Sequence, residues 1–148
     1  MVELFYVSGV LCVYSYFLYP LILKMIPSRP EKIFEPAVDA ELPRLTLIIT
    51  AHNEEGRIKE KLENSLEIEY PADRLEIIVA SDCSADATDN IVQSYSDKGI
   101  RLVRADERKG KEYAQLCAIR EATGQILVFS DVATRIPRKA LQFLSRRF

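Results

Sequence analysis

From Arg44 onward the chain alternates short apolar runs with segments of helical periodicity, and this alternation limits the possible folds more than any other feature. The apolar runs are rich in β-branched residues and have the length of buried strands; they lie at 45–50, 75–80, 100–104 and 126–130. After the first run, Ile58, Leu62 and Leu66 recur at four-residue spacing, which predicts one apolar face of a helix. Strands alternating with helices predict right-handed crossovers and an α/β fold with a mainly parallel sheet flanked by helices.

The segments around these strands predict helices at 54–67, 84–95, 109–122 and 137–146. Ser84 begins the second helix with a short polar side chain of the kind that accepts a bond from a free N–H group. Gly124 follows the third helix at a place where a glycine commonly ends a helix. Pro137 lies in the first turn of the fourth helix, where proline is well tolerated.

Polar and acidic residues directly follow three of the predicted strands, at 52–54, at 81–84 and at Asp131. The carboxyl ends of parallel strands share one edge of the sheet, and ligands bind beyond that edge. Because the fourth run is the most apolar, we expect Asp131 to end a buried strand and to have a partner for its charge. The pattern therefore predicts a ligand site at this edge.

Residues 4–23 carry no charge, and such a stretch of twenty residues is long enough to cross a bilayer as a helix. A cleaved signal peptide would begin with basic residues, and an interfacial helix would have a charged face. We therefore predict one transmembrane helix over residues 1–26. Glu3 precedes the stretch, whereas Lys24, Arg29 and Lys32 follow it, so the remainder of the chain is expected in the cytoplasm.

Composition excludes several functional classes. The net charge of −2, with acidic and basic residues interleaved, offers no basic face for nucleic acid. The first strand is followed by AHNEEG rather than a glycine-rich turn, so no nicotinamide fingerprint is present. One histidine excludes a multi-histidine metal site, and three unclustered cysteines do not form a disulfide framework.

Four prolines within 27–43 predict a linker to the domain at 44–148.

Four blocks of this sequence, in this order, resemble family-2 glycosyltransferases of the GT-A fold, a Rossmann-like architecture. The first block is similar to the family's first strand and His-Asn-Glu turn, and the second to its Asp-Asp-Gly-Ser-x-Asp-x-Thr loop. The third resembles a Gly-Lys-x-x-Ala helix start, and the fourth a strand ending in Asp-Ala-Asp. The blocks are LIITAHNEE at 47–55, IIVASDCSADAT at 77–88, RKGKEYAQLCAI at 108–119 and GQILVFSDVATRIP at 124–137.

The resemblance implies a nucleotide-sugar site made of five residues. It implies that His52 and Glu54 lie near the nucleotide, that Asp82 contacts the base or ribose, and that Lys111 lies on the nucleotide side. Asp131 matches the first acid of Asp-x-Asp, beside the diphosphate and its Mg²⁺ or Mn²⁺.

Three positions depart from the family pattern. Ser81 stands in place of an aspartate, Cys83 in place of a glycine, and Ala133 in place of the second acid of Asp-x-Asp. Mg²⁺ and Mn²⁺ are hard cations that take oxygen ligands, often one or two carboxylates together with phosphate oxygens. The Ala133 departure therefore removes one carboxylate from the implied metal site.

The resemblance implies transfer of a sugar, from a UDP-linked donor, to a glycan or lipid acceptor in cell-envelope or polysaccharide synthesis. In the family the catalytic base lies in an acidic motif beyond the Asp-x-Asp strand, in the acceptor half. We therefore expect residues 44–148 to be the nucleotide-sugar-binding half, with the acceptor half missing, and the chain to be a truncated fragment that binds nucleotide weakly and transfers no sugar. One alternative is a membrane-tethered nucleotide-binding or interaction module without catalysis, in which a second chain could supply the missing half. Another is an unrelated Rossmann-like domain.

Overall fold

A computed structural model describes residues 2–25 and 42–146 of the chain. The chain divides into two compact units, Met1–Ile33 and Phe34–Phe148. Of the linker predicted at 27–43, all but Leu42 and Pro43 lie outside the described residues, so the linker stays a prediction.

The first unit contains one continuous helix, Val2–Met25. It is built from α1 (Val2–Val13), a π-helical turn (Tyr14–Leu18) and α2 (Tyr19–Met25). The wider turn ends two residues before Pro20, whose nitrogen has no hydrogen to donate, and such interruptions commonly distort the helical ladder. The helix has 24 residues, and its most apolar 18-residue stretch has a mean hydropathy of 1.6, so it is long and apolar enough to cross a membrane.

The second unit is built on a four-stranded sheet in which every pair is parallel, as predicted. The strands are β1 (Leu45–Ala51), β2 (Leu75–Ser81), β3 (Ile100–Arg104) and β4 (Ile126–Asp131), in the order β3-β2-β1-β4. The register pairs Ala51 with Ser81 and Thr50 with Asp131. The carboxyl ends of the three neighbouring strands β2, β1 and β4 consequently lie side by side.

The helices are shorter than the sequence predicted. They are α3 (Ile58–Leu66), α4 (Thr88–Gln93), α5 (Lys111–Glu121) and α6 (Ala140–Ser145), with a 3₁₀ turn at Ser96–Lys98. The prediction that Ser84 caps the second helix is wrong, because its hydroxyl instead accepts a bond from the Asn53 amide at 3.2 Å. Asp86 stabilises the start of α4, because its Oδ1 accepts a hydrogen bond from the Thr88 amide at 3.0 Å.

Two apolar clusters cover the two faces of the sheet, because successive side chains of a strand point in opposite directions. One face of β1 places Leu47 and Ile49 against Ile58 and Leu62 of α3. The other face places Ile48 in a smaller cluster that includes the buried residues Ala114 and Ala118 of α5. The small side chains of these alanines allow α5 to lie close to the sheet.

The expectation that Asp131 ends a buried strand is wrong. Within the described part of the sheet β4 is an edge strand, and 46% of Phe129 is exposed. The Asp131 side chain is 58% exposed. Apolar composition alone does not distinguish an edge strand from a central one, because both have a face that packs against the core.

Gly124 does not end a helix in the left-handed conformation, as the sequence suggested. Helix α5 is followed by Ala122 in extended backbone. A Cβ at position 124 would lie 2.5 Å from the Thr46 amide nitrogen and 2.6 Å from its Oγ1. The glycine is required because the chain entering β4 passes so close to β1.

We predict that Gly124→Ala destabilises the second unit by about 1–3 kcal/mol, because the methyl group overlaps backbone atoms that cannot move away. Gly56→Ala is the matched control, since a Cβ at position 56 meets no atom within 4 Å. Chemical denaturation of the whole chain in detergent, followed by circular dichroism, measures both. Equal midpoints for the two variants would contradict the close approach.

Candidate functional site

Two loops at the carboxyl edge of the sheet are joined by side-chain hydrogen bonds. The loop after β1 begins at His52, and the loop after β2 begins at Asp82. Asn53 Oδ1 accepts from the Ala85 amide at 2.8 Å, while the Glu54 amide donates to Thr88 Oγ1 at 2.8 Å. These bonds hold the two loops together as one unit.

Each of these loops contains a residue in the left-handed backbone region. Asn53 has a φ of 53°, which asparagine tolerates, and Cys83 has a φ of 51°. Cys83 occupies the position at which the resembling family has glycine, the residue best suited to this conformation. Its Sγ lies 3.2 Å from the Ala105 carbonyl oxygen. The backbone conformation expected at this position is therefore kept although the residue type has changed.

His52 and Asp82, both predicted site residues, are in contact. His52 Nδ1 lies 2.7 Å from the Asp82 carbonyl oxygen, so Nδ1 carries the proton and donates. Asp82 is only 6% exposed, and its Oδ1 accepts from the Gly110 amide at 3.1 Å. This bond brings the start of α5 to the two loops. The carboxylate gains from the positive end of that helix.

Gly110 makes this junction possible. Its φ of 91° and ψ of 177° lie in a region that is open essentially to glycine alone. This conformation turns the Gly110 amide toward Asp82 while its carbonyl begins the helical ladder with the Ala114 amide. The glycine in the third block of the sequence therefore has a structural reason.

Lys111 and Asp131, the other predicted pair, are also brought together. Lys111 Nζ lies 2.5 Å from Asp131 Oδ1, and the two side chains are 55% and 58% exposed. Exposed ion pairs contribute little to stability, so either group can exchange its partner for a ligand at low cost. Glu54, the fifth predicted residue, takes part through its backbone amide, and its side chain is partly exposed at the same edge.

Lys61 is a charged residue at this edge that sequence reasoning missed. It is 3% exposed, and its Nζ donates to Ser130 Oγ at 2.7 Å and to the Thr134 carbonyl at 2.5 Å. Burial lowers the pKa of Lys61, and the nearby charge of Asp131 acts in the opposite direction. Lys61 lies next to Leu62 on the apolar face of α3, and this position in the sequence indicates that its side chain is buried.

A cavity of about 240 Å³ lies between α3 and the loop after β4. Asn64 closes one side, donating to the Ile136 carbonyl at 3.0 Å and accepting from its amide at 2.8 Å. Arg57 and Arg135 also line the cavity, and neither forms a side-chain hydrogen bond or ion pair with another residue in 2–25 or 42–146. The cavity therefore has a cationic wall next to the Asp131 loop.

The residues present do not fit a divalent cation held by two carboxylates. Asp131 is followed by Val132 and Ala133, so the loop supplies one carboxylate, and Lys111 already contacts it. Within 2–25 and 42–146, no group of three or more His, Cys, Asp or Glu side chains is placed to hold a metal ion. We therefore assign no step to a metal.

The left-handed conformation at Cys83 leads to a stability prediction. Cys83→Ala and Cys83→Gly both remove the thiol, but only glycine adopts the left-handed region without strain. We expect the glycine variant to be more stable than the alanine variant by about 1 kcal/mol, measured by chemical denaturation. The reverse order would show that position 83 does not keep its positive φ in solution.

Comparison with known proteins agrees with this architecture. Residues 46–144 match the profile of glycosyl transferase family 2. The probable glycosyltransferase YdaM of Bacillus subtilis (strain 168) is 36% identical over 109 residues, 70% of this chain and 26% of the relative. The succinoglycan biosynthesis protein ExoO of Rhizobium meliloti (strain 1021) is 32% identical over 96 residues, covering 65% of this chain and 27% of ExoO.

Two solved structures show the same fold. The mannosyltransferase PcManGT from Pyrobaculum calidifontis, in complex with GDP-Man and Mn²⁺, has a TM-score of 0.74 and 31% identity, covering 88% of this chain and 40% of that one. S. aureus TarS 1-349 in complex with UDP has a TM-score of 0.62 and 26% identity, covering 68% and 30%. The chain spans about a quarter to two fifths of the length of these proteins. The match over 46–144, together with this GT-A architecture, shows that the chain belongs to glycosyl transferase family 2.

Proposed function

We propose that the carboxyl edge of the sheet binds the nucleotide of a UDP-sugar donor. The protein would transfer the sugar to a glycan or lipid acceptor in cell-envelope or polysaccharide synthesis. The observation that carries the proposal is Asp82, a buried carboxylate whose Oδ1 is fixed by the Gly110 amide. Its Oδ2 has no hydrogen-bond partner among residues 2–25 and 42–146, so it can accept from an N–H or hydroxyl group of the base or ribose.

The other site residues are distributed around Asp82 in a way that suits a nucleotide diphosphate. His52 contacts the Asp82 backbone, and Glu54 follows it in the same loop. Lys111 is the first residue of α5, where its ammonium and the amino end of the helix both favour negative charge. We assign the base and ribose to Asp82, with His52 and Glu54 beside them, and the diphosphate to Lys111.

In an inverting transfer, the acceptor hydroxyl attacks the anomeric carbon while a carboxylate takes its proton. The bond from that carbon to the diphosphate breaks, and the diphosphate leaves with the electron pair. We assign to residues 44–148 the donor side of this reaction. Lys111 would stabilise the growing charge on the leaving diphosphate, which is the kind of interaction that lowers a barrier most.

Relatives support the donor class. PcManGT is in complex with GDP-Man and TarS with UDP, so structures that share this fold bind nucleoside diphosphates. The name of ExoO, a succinoglycan biosynthesis protein, supports a polysaccharide product. The choice of uridine comes from the family resemblance as a whole.

Asp82→Asn tests the donor site. The amide keeps the size of the side chain and can still accept from Gly110, but it removes the charge offered to the base or ribose. We expect UDP binding, measured by calorimetry on the whole chain in detergent, to weaken about tenfold, since hydrogen bonds to charged groups contribute about 1.5–3 kcal/mol.

Asp73→Asn is the matched control for this measurement. Asp73 lies before β2, at the opposite end of the strand, and its side chain is 81% exposed. It should retain the affinity of the unmodified chain. Equal weakening by both substitutions, or no binding of UDP by the unmodified chain, would contradict the assignment.

We further propose that the helix Val2–Met25 crosses a membrane once and that the glycosyltransferase unit lies on its cytoplasmic side. The length and hydropathy of the helix support the crossing. Lys24 near its carboxyl end and Glu3 near its amino end support the orientation. Sugar nucleotides would then reach the site from the cytoplasm.

Leu11→Arg tests the crossing, because an arginine near the centre of a spanning helix opposes insertion by about 2.5–3.5 kcal/mol. We expect this variant to shift from the carbonate-resistant membrane fraction to the soluble fraction of expressing cells. Leu11→Ile, which keeps the apolar character, should remain with the membrane. If the unmodified chain itself were extracted by carbonate, the helix would not be a membrane span.

A further inference from the structure

Two lysines, Lys111 and Lys61, lie at the end of β4, where Asp131 is the one carboxylate of the strand end. The Lys111 ammonium lies 2.5 Å from Asp131 Oδ1. Lys61 approaches from the side of α3, where its Nζ donates to Ser130 in β4 and to the Thr134 carbonyl in the loop that follows. Burial lowers the pKa of Lys61, and the nearby charge of Asp131 opposes that change. One negative charge therefore faces two positive charges.

This arrangement has the charge that a diphosphate requires. Two carboxylates with a divalent cation sum to zero, and the bound metal attracts phosphate oxygens through its open positions. Here Asp131 is the one carboxylate that Lys111 contacts, and Lys61 lies beneath the same loop, so these positive groups belong to the chain itself. The replacement of the second acid by Ala133 removes the negative charge that a metal would otherwise balance.

The two lysines differ in exposure and in hydrogen bonding, and each is suited to a separate role. Lys61 is buried and bonded twice, so its charge is fixed beneath the loop. Lys111 is 55% exposed at the first residue of an eleven-residue helix, so its long side chain can turn from Asp131 to a phosphate oxygen. The amino end of α5 favours a negative ligand at the same place.

We propose that Lys111, with the fixed charge of Lys61 behind it, takes the place of the divalent metal, so that the donor diphosphate binds without metal. Asp131 holds the Lys111 ammonium at the site until the nucleotide arrives. The inference depends on the proposed donor site and concerns how that site neutralises the diphosphate.

The first test is calorimetric titration of UDP into the whole chain in detergent, once with EDTA and once with Mn²⁺. We expect the same affinity in both, because the countercharge is part of the protein. Lys111→Met should weaken UDP binding about tenfold in both conditions, the effect of losing one charge-assisted hydrogen bond.

Lys109→Met is the matched control, since Lys109 pairs with Glu107 at 2.7 Å and lies over the Tyr113 ring. It should bind UDP like the unmodified chain. Ala133→Asp restores a second acid to the loop, and this variant should bind UDP more tightly with Mn²⁺ than with EDTA. That gain of metal dependence would show that the absence of a second acid in this loop is what makes UDP binding independent of metal.

Two results would overturn the inference in different ways. If EDTA abolishes UDP binding, Mn²⁺ restores it, and Lys111→Met has no effect, the site uses a metal and the donor assignment stands. If no chain, including Ala133→Asp, binds UDP in either condition, the donor site itself is wrong and this inference is wrong with it.

Discussion

Parallel pairing of β1 with both β2 and β4 is the constraint on which the site depends. The register places Ala51 beside Ser81 and Thr50 beside Asp131, so that residues far apart in sequence meet where the strands end. A parallel sheet must be covered on both faces, and α3 and α5 provide that cover. The edge then remains as the place where loops can present polar groups to a ligand.

The start of α5 completes the site because it returns the chain to this edge. The Gly110 amide reaches the buried Asp82 carboxylate only in a backbone conformation reserved for glycine. The next residue, Lys111, then contacts Asp131 at the end of β4. One hydrogen bond therefore determines the separation between the part of the site assigned to the nucleoside and the part assigned to the diphosphate.

Sequence periodicity predicted the strands and their parallel pairing, because short β-branched runs between helical segments have few other solutions. The resemblance named His52, Asp82, Lys111 and Asp131, and the structure brings them to one edge in two contacting pairs. What each binds stays a prediction. The glycine expected at position 83 by resemblance is a cysteine, yet the backbone keeps a φ of 51°.

Features that depend on distant contacts could not be read from local pattern. Ser84 was assigned to a helix start, but its hydroxyl binds the loop after β1, which no spacing rule reveals. The exposure of Asp131 depends on which strands lie beside β4. Gly124 was interpreted as a helix end, whereas its reason is the passing backbone of Thr46. The burial of Lys61 depends on its contacts with Ser130 and Thr134, which lie 69 and 73 residues further along the chain.

The bonds between the loops after β1 and β2 have a consequence for recognition. Asn53, Ser84 and Thr88 hold these loops together through side-chain hydrogen bonds of the protein itself. Binding then requires little ordering of the protein, so less conformational entropy is lost when a ligand enters. A preorganised cleft of this kind discriminates by rejecting shapes rather than by adapting to them. Differences among nucleotides should therefore appear mainly in how long each one stays bound.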